Sequence, residues 1–373
     1  METRIVKVGA GAPDEAVRRA VRTLRKGGLV AFPTETVYGV AAVATNASAM
    51  ERLRELKSRP ARPFSVHLGR SEDVRRYVRS VPADAQRLIE KAWPGPVTLL
   101  LPTGGRLADG RLNRRRGLYD ALCREGLIGL RCPDVPVARA MLGELDEPVV
   151  APSANLAGQP SPRTARQVID ALDGRIEMLI DAGPTRHGTD STIVRFDADG
   201  WHVVRKGVYD ARMIRGLLRR LVVFVCTGNT CRSPMAAGLA RKALADRLGC
   251  RPGELEARGH EVLSAGLFAG EGQRASPEAV RAVRGLGADI SRHRSRRLTA
   301  ELIRRADMVL CMTDQHVADA RRMVPDAGEK IRRLDPADDV PDPVGLAGDG
   351  YVKAARRIAK AVADALDLDK GLK

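Results

Sequence analysis

The sequence predicts an α/β protein of two domains, the first with a twisted mixed sheet and helices and the second with a doubly wound parallel sheet. The chain has 373 residues, more than one domain usually contains. Both halves alternate short apolar runs with amphipathic helical stretches. A basic stretch then precedes a new strand–loop–helix pattern. We therefore predict a first domain at 1–207, a linker at 208–220 and a second domain at 221–373.

The first domain contains apolar runs of strand length and amphipathic stretches of helical length. Between residues 178 and 207 several strand signals follow one another without a helix, which indicates a mixed sheet. Residues 104–117, GGRLADGRLNRRRG, are predicted to form a long, basic, mobile loop. The predicted strands are LVAFPT, FSVHL, PVTLLLP, LIGLRCP, PVVAPSAN, MLIDAG, STIVRF and WHVVRKG, and the predicted helices are DEAVRRAVRTLRKGG, SAMERLRELK and ADAQRLIEKAW.

The second domain alternates strands and helices regularly, as an open parallel sheet with helices on both faces requires. Its first strand ends at VFVC, and the next helix is predicted to open at Ser233-Pro234, because proline suits a first helical turn. The other predicted strands are HEVLSAG, ADMVLCMT and KIRRL, and the other predicted helices are SPEAVRAVRGLG, DQHVADARRMV and YVKAARRIAKAVADALD.

The composition and the N-terminus argue against several classes of protein. No apolar signal region begins the chain, and no stretch approaches the ~20 apolar residues of a membrane span, so we expect a soluble cytoplasmic protein. The six cysteines form no C-x-x-C pair and the six histidines no metal-binding cluster, which argues against a zinc site or a disulfide scaffold. The net charge of +17 allows contact with nucleic acid, although only 3% of residues are aromatic and available for base stacking.

The stretch CTGNTCRS, residues 226–233, places a cysteine between a strand and a helix. Backbone N–H groups of such a loop and the positive end of the helix converge on one point and bind an anion there. This environment favours the thiolate, the nucleophilic form of cysteine. Arg232 supplies a planar guanidinium for two phosphoryl oxygens. The pattern predicts attack of Cys226 on phosphorus, a phosphocysteine intermediate and hydrolysis by water, with Ser233 hydrogen-bonded to the departing sulfur.

This chemistry needs a general acid for the leaving group, which contributes roughly 10²–10⁴ in rate. An acidic segment before the last predicted helix offers four aspartates, although a solvated acidic loop is the alternative interpretation for each of them taken singly. The candidates are Asp335, Asp338, Asp339 and Asp342.

Residues 221–368 resemble the low-molecular-weight protein tyrosine phosphatases. The resemblance rests on CTGNTCRS near the domain start, DPVG near its end, and SAGLFA and ADMVLCMT between them. It implies that Cys226 is the nucleophile, Arg232 the phosphate binder and Asp342 the acid, with no metal or other cofactor. Val344 stands where family members often carry an aromatic residue. The phosphate-binding residues implied by the resemblance are Thr227, Gly228, Asn229, Thr230, Cys231 and Ser233.

Thr230 bears on the substrate of this domain. Family members with a bulky aliphatic residue here act on phosphotyrosine, whereas CTGNTCRSPMA resembles the bacterial protein arginine phosphatase branch, which carries threonine. A single contact discriminates by only ~1–3 kcal/mol, so phosphoarginine and phosphotyrosine proteins both stay open as substrates. Arsenate reduction and a role as an inactive phosphate-binding module stay open as well. Cys231 could also protect Cys226 from over-oxidation through a reversible disulfide.

The first domain carries polar motifs at predicted strand ends. A lysine with two arginines suits a polyphosphate, and Ser-x-Asn suits phosphate oxygens or a magnesium ion. Taken alone, each motif is more often a charged surface turn or a strand-ending turn. The motifs are FPTETVYGVAA with Thr34, Thr36 and Tyr38, LKSRPARPFSVHL with Lys57, Arg59, Arg62 and His67, and APSANLAGQPSP with Ser153, Asn155 and Ser161.

Together these motifs resemble the YrdC-like threonylcarbamoyl-AMP synthases over about residues 5–210, and DSTIV at 190–194 and VVRKG at 203–207 agree. The resemblance implies synthesis of threonylcarbamoyl-AMP and pyrophosphate from L-threonine, bicarbonate and ATP, with Mg²⁺. It also implies a partner transferase that moves the threonylcarbamoyl group to a tRNA adenosine, and it allows contact with tRNA or other double-stranded RNA. Long members carry a different C-terminal domain, in whose place the phosphatase-like domain stands.

The resemblance also assigns ligand contacts. No covalent nucleophile is expected, because bound threonylcarbamate attacks the α-phosphorus while magnesium and basic side chains stabilise the departing pyrophosphate. The implied threonine contacts are Thr34, Tyr38, His67, Arg131 and Ser191, and the implied ATP contacts are Lys57, Arg59, Arg62, Ser153, Asn155, Ser161 and Arg205.

The chain is therefore predicted to be a bifunctional fusion of a synthase and a phosphatase. One alternative for the first domain is carbamoyl transfer, as in larger hydrogenase-maturation proteins, but their acylphosphatase and cysteine-rich zinc motifs do not occur here. Another is a non-catalytic RNA-binding module, which the basic charge permits and which would bind RNA with steep salt dependence.

Overall fold

The described strands of the chain form two sheets, one in each of two units. The computed structural model describes residues 2–8, 13–58, 62–345 and 349–367, and divides into the units Met1–Leu217 and Leu218–Lys373. The N-terminal sheet mixes parallel and antiparallel pairs, whereas the described C-terminal strands are all parallel. The predicted α/β class, with one mixed and one parallel sheet, is confirmed.

The N-terminal unit contains eleven strands in its described part, all in one sheet. They are β1 (Arg4–Lys7), β2 (Val30–Phe32), β3 (Gly39–Val43), β4 (Val66–His67), β5 (Val97–Pro102), β6 (Cys123–Arg124), β7 (Leu127–Arg131), β8 (Val149–Val150), β9 (Met178–Asp181), β10 (Thr192–Asp197) and β11 (Gly200–Arg205). Their order is β1-β9-β2-β3-β8-β4-β7-β5-β10-β11, and β6 pairs with β7.

The helices of this unit cover the sheet with apolar side chains at helical spacing. In the first helix Val17, Val21 and Leu24 are buried against Phe32 of β2 and Met141 of a later helix. The helices are α1 (Pro13–Arg25), α2 (Ala47–Lys57), α3 (Ala83–Ala92), α4 (Gly110–Asn113), α5 (Leu118–Leu122), α6 (Pro136–Gly143), α7 (Ala165–Leu172) and α8 (Ala211–Leu218). The predicted linker 208–220 thus contains α8.

The basic stretch at 104–117 is folded, which differs from the predicted mobile loop. It contains α4 and leads into α5, and its leucines Leu107, Leu112 and Leu118 are buried. The arginines Arg114 and Arg115 are exposed. The prediction weighed the arginines and glycines and overlooked that leucines at this spacing bury one side of the segment.

The C-terminal unit is a four-stranded parallel sheet with helices on both faces, in the order β13-β12-β14-β15. Its strands are β12 (Arg220–Cys226), β13 (His260–Gly266), β14 (Met308–Cys311) and β15 (Ile331–Arg333), and its helices are α9 (Arg232–Arg247), α10 (Pro277–Arg284), α11 (Ala300–Arg305), α12 (Asp314–Met323) and α13 (Gly350–Asp367). The strand order reverses at β12, whose neighbours are β13 and β14. In such sheets ligands bind beyond the carboxyl end of the strand where the order reverses.

Successive side chains of β12 point alternately to the two faces of this sheet. Phe224 packs with α9, α10 and α13, while Val223 and Val225 pack with Ile303 of α11 and Val317 of α12. The buried strand therefore holds Cys226, its last residue, at a fixed position. Within the described ranges no helix has the length and apolar content that crossing a membrane requires.

Candidate functional site

The mixed sheet brings the motifs of the N-terminal unit to one edge. His67 at the end of β4 lies beside Arg131 at the end of β7 in the parallel register. A cavity of about 470 Å³ opens there. The residues named from the sequence that line it are Thr34, Lys57, His67, Arg131, Ser153, Asn155, Ser161, Ser191 and Arg205.

Lys57, the last residue of α2, is held by the Ser-x-Asn motif. Its Nζ donates to the Ser153 carbonyl at 3.0 Å and to the Asn155 carbonyl and Oδ1 at 2.8 and 2.9 Å. The Nζ also lies 3.4 Å from Ser153 Oγ. The two motifs, 96 residues apart for Lys57 and Ser153, therefore form one cationic group at the cavity wall.

Arg131 is anchored by the residues that follow β2. Its Nη2 donates to Glu35 Oε1 at 2.7 Å and to Thr36 Oγ1 at 2.8 Å, and it lies 3.4 Å from Thr34 Oγ1. The side chain is 5% exposed, yet its Nε has no hydrogen-bond partner among the described residues. A buried donor without a partner costs free energy. The guanidinium lines the cavity, and its Nε is a donor whose hydrogen-bonding capacity the described residues leave unused.

Arg205 also lines this cavity. Its Nη2 donates to the Ser191 carbonyl at 2.8 Å and to Ser191 Oγ at 3.0 Å, and its Nε donates to the same carbonyl at 3.1 Å. Ser191 Oγ lies 2.9 Å from Thr98 Oγ1 on the adjacent β5. A third cation and two hydroxyls thus converge on the cavity.

His67 contributes no charge near neutral pH. Burial and the neighbouring Arg131 lower the pKa of His67 to about 3. Its ring packs edge-on against Phe32 with the centroids 6.3 Å apart. Lys57, Arg131 and Arg205 are accompanied by one carboxylate among the described lining residues, that of Asp190, and Arg131 is also paired with the buried Glu35 behind the lining. This balance suits a ligand with several negative charges.

Of the described residues named from the sequence, Thr36, Tyr38 and Arg62 are not among those that line this cavity. Tyr38 is buried, and its hydroxyl donates to the Gly183 carbonyl at 2.7 Å. Burial raises the pKa of Tyr38 to about 12. Arg62 is exposed and is not among the lining residues. Arg59 lies outside the described residues.

Asp190 was missed by the sequence reasoning. Its Oδ1 accepts from Ser161 Oγ at 2.9 Å, and its carbonyl accepts from the backbone N–H of Val208 at 3.1 Å. The residue directly precedes the STIV strand, which is the signal that could have identified it. No cluster of three or more potential metal ligands occurs in the described ranges.

The second site lies at the carboxyl end of β12. Cys226 Sγ lies 3.0 Å from Ser233 Oγ and accepts from the backbone N–H of Asn229 at 3.3 Å. The helix α9 opens at Arg232, one residue before the predicted start. Gly266 on β13 pairs with Cys226, and a Cβ there would lie 2.5 Å from the Thr227 carbonyl oxygen. Only glycine lets the loop approach the strand this closely.

Asn229 shapes the loop. Its φ of 56° is left-handed, a conformation that asparagine tolerates better than most residues. Its Nδ2 donates to Ser233 Oγ at 2.9 Å, and its Oδ1 accepts from the backbone N–H of Arg296 at 2.9 Å. His293 Nε2 lies 2.8 Å from the Asn229 carbonyl oxygen. The asparagine side chain thus connects the nucleophile's partner Ser233 to a neighbouring loop.

Arg232 and Asp342 form an ion pair at the mouth of the loop. The Nη2 of Arg232 lies 2.5 Å from Asp342 Oδ2, and its Nη1 donates to the Val340 carbonyl at 3.2 Å. The arginine is buried, whereas Asp342 is half exposed. A pair of this kind can exchange the carboxylate for a phosphoryl group.

The other three candidate acids have different partners. Asp335 binds Arg357 at 2.9 Å, and Asp338 lies 3.5 Å from the same guanidinium. Asp339 Oδ1 accepts from the backbone N–H of Asp314 at 2.9 Å. Among the four aspartates, Asp342 is the one in contact with the loop arginine.

Two further side chains of the loop point to different neighbours. Cys231 Sγ lies 3.4 Å from Ser276 Oγ and 3.5 Å from the Tyr351 hydroxyl. Thr230 Oγ1 lies 3.7 Å from Cys231 Sγ. Gly228 has open space where a side chain would stand, apart from Thr230 Oγ1 at 3.6 Å. All six cysteines lie in the described ranges and are free thiols.

His316 and His293 were not identified from the sequence, although both reach the loop. His316 Nε2 lies 2.9 Å from Thr227 Oγ1, and burial followed by the charge of Arg232 lowers the pKa of His316. Burial is also the main cause that lowers the pKa of His293. Neither histidine belongs to a local motif, so only the tertiary fold reveals them.

In the described residues, fold and geometry define an α/β chain with a cavity lined by three cationic side chains and a cysteine-containing loop between a strand and a helix. Residues 22–207 match the Sua5/YciO/YrdC family model, described as telomere recombination, and residues 221–370 match that of the low molecular weight phosphotyrosine protein phosphatases. A threonylcarbamoyl-AMP synthase of Vibrio cholerae is 31% identical over 197 residues, which are 52% of this chain and 98% of the relative. The chain therefore belongs to the threonylcarbamoyl-AMP synthase family, and a low-molecular-weight phosphatase domain follows in the same chain.

Other relatives extend this comparison. A threonylcarbamoyl-AMP synthase of Pyrococcus abyssi is 36% identical over 196 residues, 52% of this chain and 54% of the relative. The crystal structure of P. abyssi Sua5 complexed with L-threonine has a TM-score of 0.52 and 23% identity, and covers 70% of this chain and 92% of that one. This structure supports the fold. The chain spans between about half and about two thirds of the length of the first curated relatives it matches.

Proposed function

We propose that the N-terminal unit makes threonylcarbamoyl-AMP from L-threonine, bicarbonate and ATP and releases pyrophosphate. The observation that carries this proposal is the convergence of Lys57, Arg131 and Arg205 on one cavity that also holds the Asp190 carboxylate. Two relatives named threonylcarbamoyl-AMP synthase, at 36% and 31% identity, support it. Both threonine and ATP carry anionic groups that three cations would bind.

Arg131 is proposed to bind the threonine carboxylate. Its guanidinium lines the cavity, and guanidinium groups bind carboxylates through paired, charge-assisted hydrogen bonds. Thr34 and Ser191 line the same cavity and offer hydroxyl groups to the amino acid, and His67 is neutral there. Tyr38 does not line the cavity, and its hydrogen bond to the Gly183 carbonyl is proposed to maintain the shape of the threonine pocket.

Lys57 and Arg205 are proposed to bind the ATP phosphates, with Ser153, Asn155 and Ser161 beside them. The threonine amine first combines with bicarbonate to give threonylcarbamate and water. An oxygen of the carbamate group then forms a bond to the α-phosphorus, and the bond from that phosphorus to the pyrophosphate oxygen breaks. The two cations stabilise the charge that grows on the departing pyrophosphate. Arg62 and Arg59 are proposed to contact ATP from the segment that follows Lys57.

Magnesium fits this cavity through oxygen ligands. Mg²⁺ in nucleotide sites usually takes one or two carboxylates together with substrate phosphates, and Asp190 with Ser161 Oγ supplies that protein share. When bound, the ion neutralises charge on the departing pyrophosphate. Asp190 would hold it on the side of the cavity that faces Ser161.

The product of this unit requires an acceptor. We propose that a partner transferase moves the threonylcarbamoyl group to a tRNA adenosine, in the cytoplasm. The folded insert around α4 exposes Arg114, Arg115 and Arg116, which offers a cationic surface to double-stranded RNA. A chain that bound RNA with steep salt dependence and released no pyrophosphate would instead be a non-catalytic RNA-binding module.

For the second unit we propose a cysteine-dependent protein phosphatase. Cys226 Sγ attacks phosphorus and forms a phosphocysteine, while Asp342 gives a proton to the leaving group. Arg232 stabilises the transferring phosphoryl oxygens, and Ser233 Oγ, 3.0 Å from the sulfur, stabilises the thiolate when water releases phosphate. The mechanism uses no metal.

We propose phosphoarginine proteins as its substrates. Support comes from Thr230, the residue of the arginine phosphatase branch, whose hydroxyl stands at the loop beside Cys231. The exposed Val344 replaces the aromatic residue that would stack on a phosphotyrosine ring. Phosphotyrosine proteins, arsenate reduction and phosphate binding without turnover are the alternatives, each with a distinct assay result.

The synthase proposal is tested with labelled bicarbonate. The full chain should convert it into a labelled nucleotide only when L-threonine, ATP and Mg²⁺ are all present. Incorporation without threonine would indicate carbamoyl transfer, and no incorporation would overturn the proposal.

The phosphatase proposal is tested with two substrates, a phosphoarginine protein and a phosphotyrosine peptide, and with Cys226→Ser as the blank. Faster hydrolysis of the phosphoarginine protein is expected. Preference for phosphotyrosine would overturn the substrate assignment, and thioredoxin-linked arsenate turnover with neither substrate hydrolysed would overturn the phosphatase.

A further inference from the structure

Thr227, the residue after the nucleophile, is held at two points. Its carbonyl accepts from the backbone N–H of Phe268 at 3.0 Å, beside the β12–β13 pairing. Its hydroxyl lies 2.9 Å from His316 Nε2. In the described part of the chain this ring is the one hydrogen-bonding partner of the Thr227 side chain.

His316 is itself fixed by the start of α12. Its Nδ1 lies 2.8 Å from Thr313 Oγ1, and the same hydroxyl caps the helix by accepting from the backbone N–H of His316 at 3.2 Å. The side chain is 6% exposed. A neutral imidazole has one donor and one acceptor nitrogen, so one threonine hydroxyl donates to the ring and the other accepts from it.

The surroundings of this ring favour its neutral form. Burial and Arg232 lower the pKa of His316, and the carboxylates of Asp319, Asp339 and Asp342 oppose that shift with smaller effect. The rest of the loop has anchors of its own, since Ser233 and Arg296 hold Asn229. The first loop residue therefore depends on His316 for the orientation of its side chain.

We propose that His316 is a positioning residue: it fixes the Thr227 side chain and so holds the start of the loop in the conformation that receives a phosphate-type anion. This inference rests on the proposed phosphatase function. A loop whose N–H groups are already oriented binds an anion without a further ordering cost. His316 does not touch the reacting atoms and acts through Thr227.

The experiment is a double-mutant cycle on the full chain, with the Kd for inorganic phosphate measured by calorimetry. His316→Ala and Thr227→Val should each weaken binding by about tenfold, the size of one hydrogen bond. The double variant should be no weaker than either single variant, because both remove the same contact. A double variant weakened by about a hundredfold, the additive result, would overturn the proposal.

A matched pair of variants controls for a merely structural role. In His316→Gln the side-chain amide would stand near the former Nε2, within reach of Thr227, so we expect affinity within about threefold of the parent. His316→Asn reaches Thr313 and not Thr227, so it should bind like His316→Ala. Equal affinities for the His316→Gln and His316→Asn variants, at equal melting temperatures, would contradict the proposal.

Turnover measured on the same samples separates this inference from the proposed function. If the double-mutant cycle shows coupling but the parent hydrolyses neither phosphoarginine nor phosphotyrosine, the proposed phosphatase function is wrong and the role of His316 stands. If the effects of the two substitutions add and the parent is an active phosphatase, the proposed role of His316 alone is wrong. A parent that does not bind inorganic phosphate would overturn both.

Discussion

Asp342 Oδ2 lies 2.5 Å from the Nη2 of Arg232, so the candidate general acid occupies the guanidinium that the substrate phosphoryl group requires. A substrate phosphoryl group would compete with this carboxylate for the N–H donors of the guanidinium. We expect a bound phosphoryl group to displace the carboxylate from Nη2 and to leave Asp342 at the loop mouth, available to the leaving group. The pair thus links substrate binding to the position of the acid.

Asp342→Asn should separate binding from catalysis. The amide cannot protonate a leaving group, so kcat should fall by about 10²–10⁴. It also competes less well for Arg232, so the inhibition constant of inorganic phosphate should decrease. Steady-state kinetics with phosphate as competitive inhibitor measure both. Asp338→Asn, on the same segment but paired with Arg357, is the control, and an equal loss of kcat there would remove Asp342 from the acid role.

Thr230→Val should change the choice of substrate. The two side chains are nearly equal in size, and the loss of the hydroxyl contact should lower the ratio of kcat/KM for phosphoarginine over phosphotyrosine by about 5–150-fold. Thr227→Val is the matched control, because it should lower both values together. An unchanged ratio in Thr230→Val would show that the pocket walls decide the substrate.

His67 should make the N-terminal unit less stable in acid. Its folded pKa is about 3, against an ordinary value of 6.5, so the unfolded state binds more protons between these values and stability falls as pH drops below about 6.5. At pH 5 the loss relative to pH 8 is about 2 kcal/mol. Both tryptophans, Trp93 and Trp201, lie in this unit, so denaturant titrations followed by fluorescence report it specifically.

The pH dependence assigned to His67 is checked with His67→Asn. This variant should have a smaller difference in the free energy of unfolding between pH 8 and pH 5, whereas the exposed His202→Asn should retain the parent's difference. A His67→Asn variant with the full difference would show that another group is responsible.

Asp190→Asn should raise the Mg²⁺ requirement of the synthase. If Asp190 supplies the carboxylate for the ion, the Mg²⁺ concentration for half-maximal pyrophosphate release should rise by about 10–100-fold. Asp134→Asn, a partly exposed carboxylate paired with Arg186, is the control and should leave it unchanged. Equal requirements in parent and Asp190→Asn would contradict the assignment.

Local sequence patterns predicted the parts of the sites that are contiguous in the chain. The loop from Cys226 to Ser233 follows a buried strand and opens a helix, and both features have strong local signals. Likewise Lys57 ends a predicted helix, and Ser153 lies near the end of the predicted strand PVVAPSAN, shortly after the observed strand β8. Their mutual contact at 3.0 Å needed the tertiary fold, although the family resemblance grouped them.

Residues that act through distant partners escaped prediction. Asp190 forms a hydrogen bond with Ser161, which is 29 residues away in the sequence. His316 forms one with Thr227, which is 89 residues away, so only the tertiary fold brings these partners together. The prediction of a mobile loop at residues 104–117 was wrong because it gave the charged residues more weight than the leucines, which are buried. The short edge strand β1 was also missed, since its exposed residues lack the apolar run of an interior strand.

The central claim is that two independent activities belong to one chain, and crossed variants test it most directly. Pyrophosphate release that requires threonine, bicarbonate and ATP, and hydrolysis of a phosphoarginine protein, should be measured on the full chain, on Lys57→Ala and on Cys226→Ser. We predict that Lys57→Ala abolishes only the first activity and Cys226→Ser only the second. Absence of either activity from the parent, or its survival in the variant aimed at it, would contradict the account.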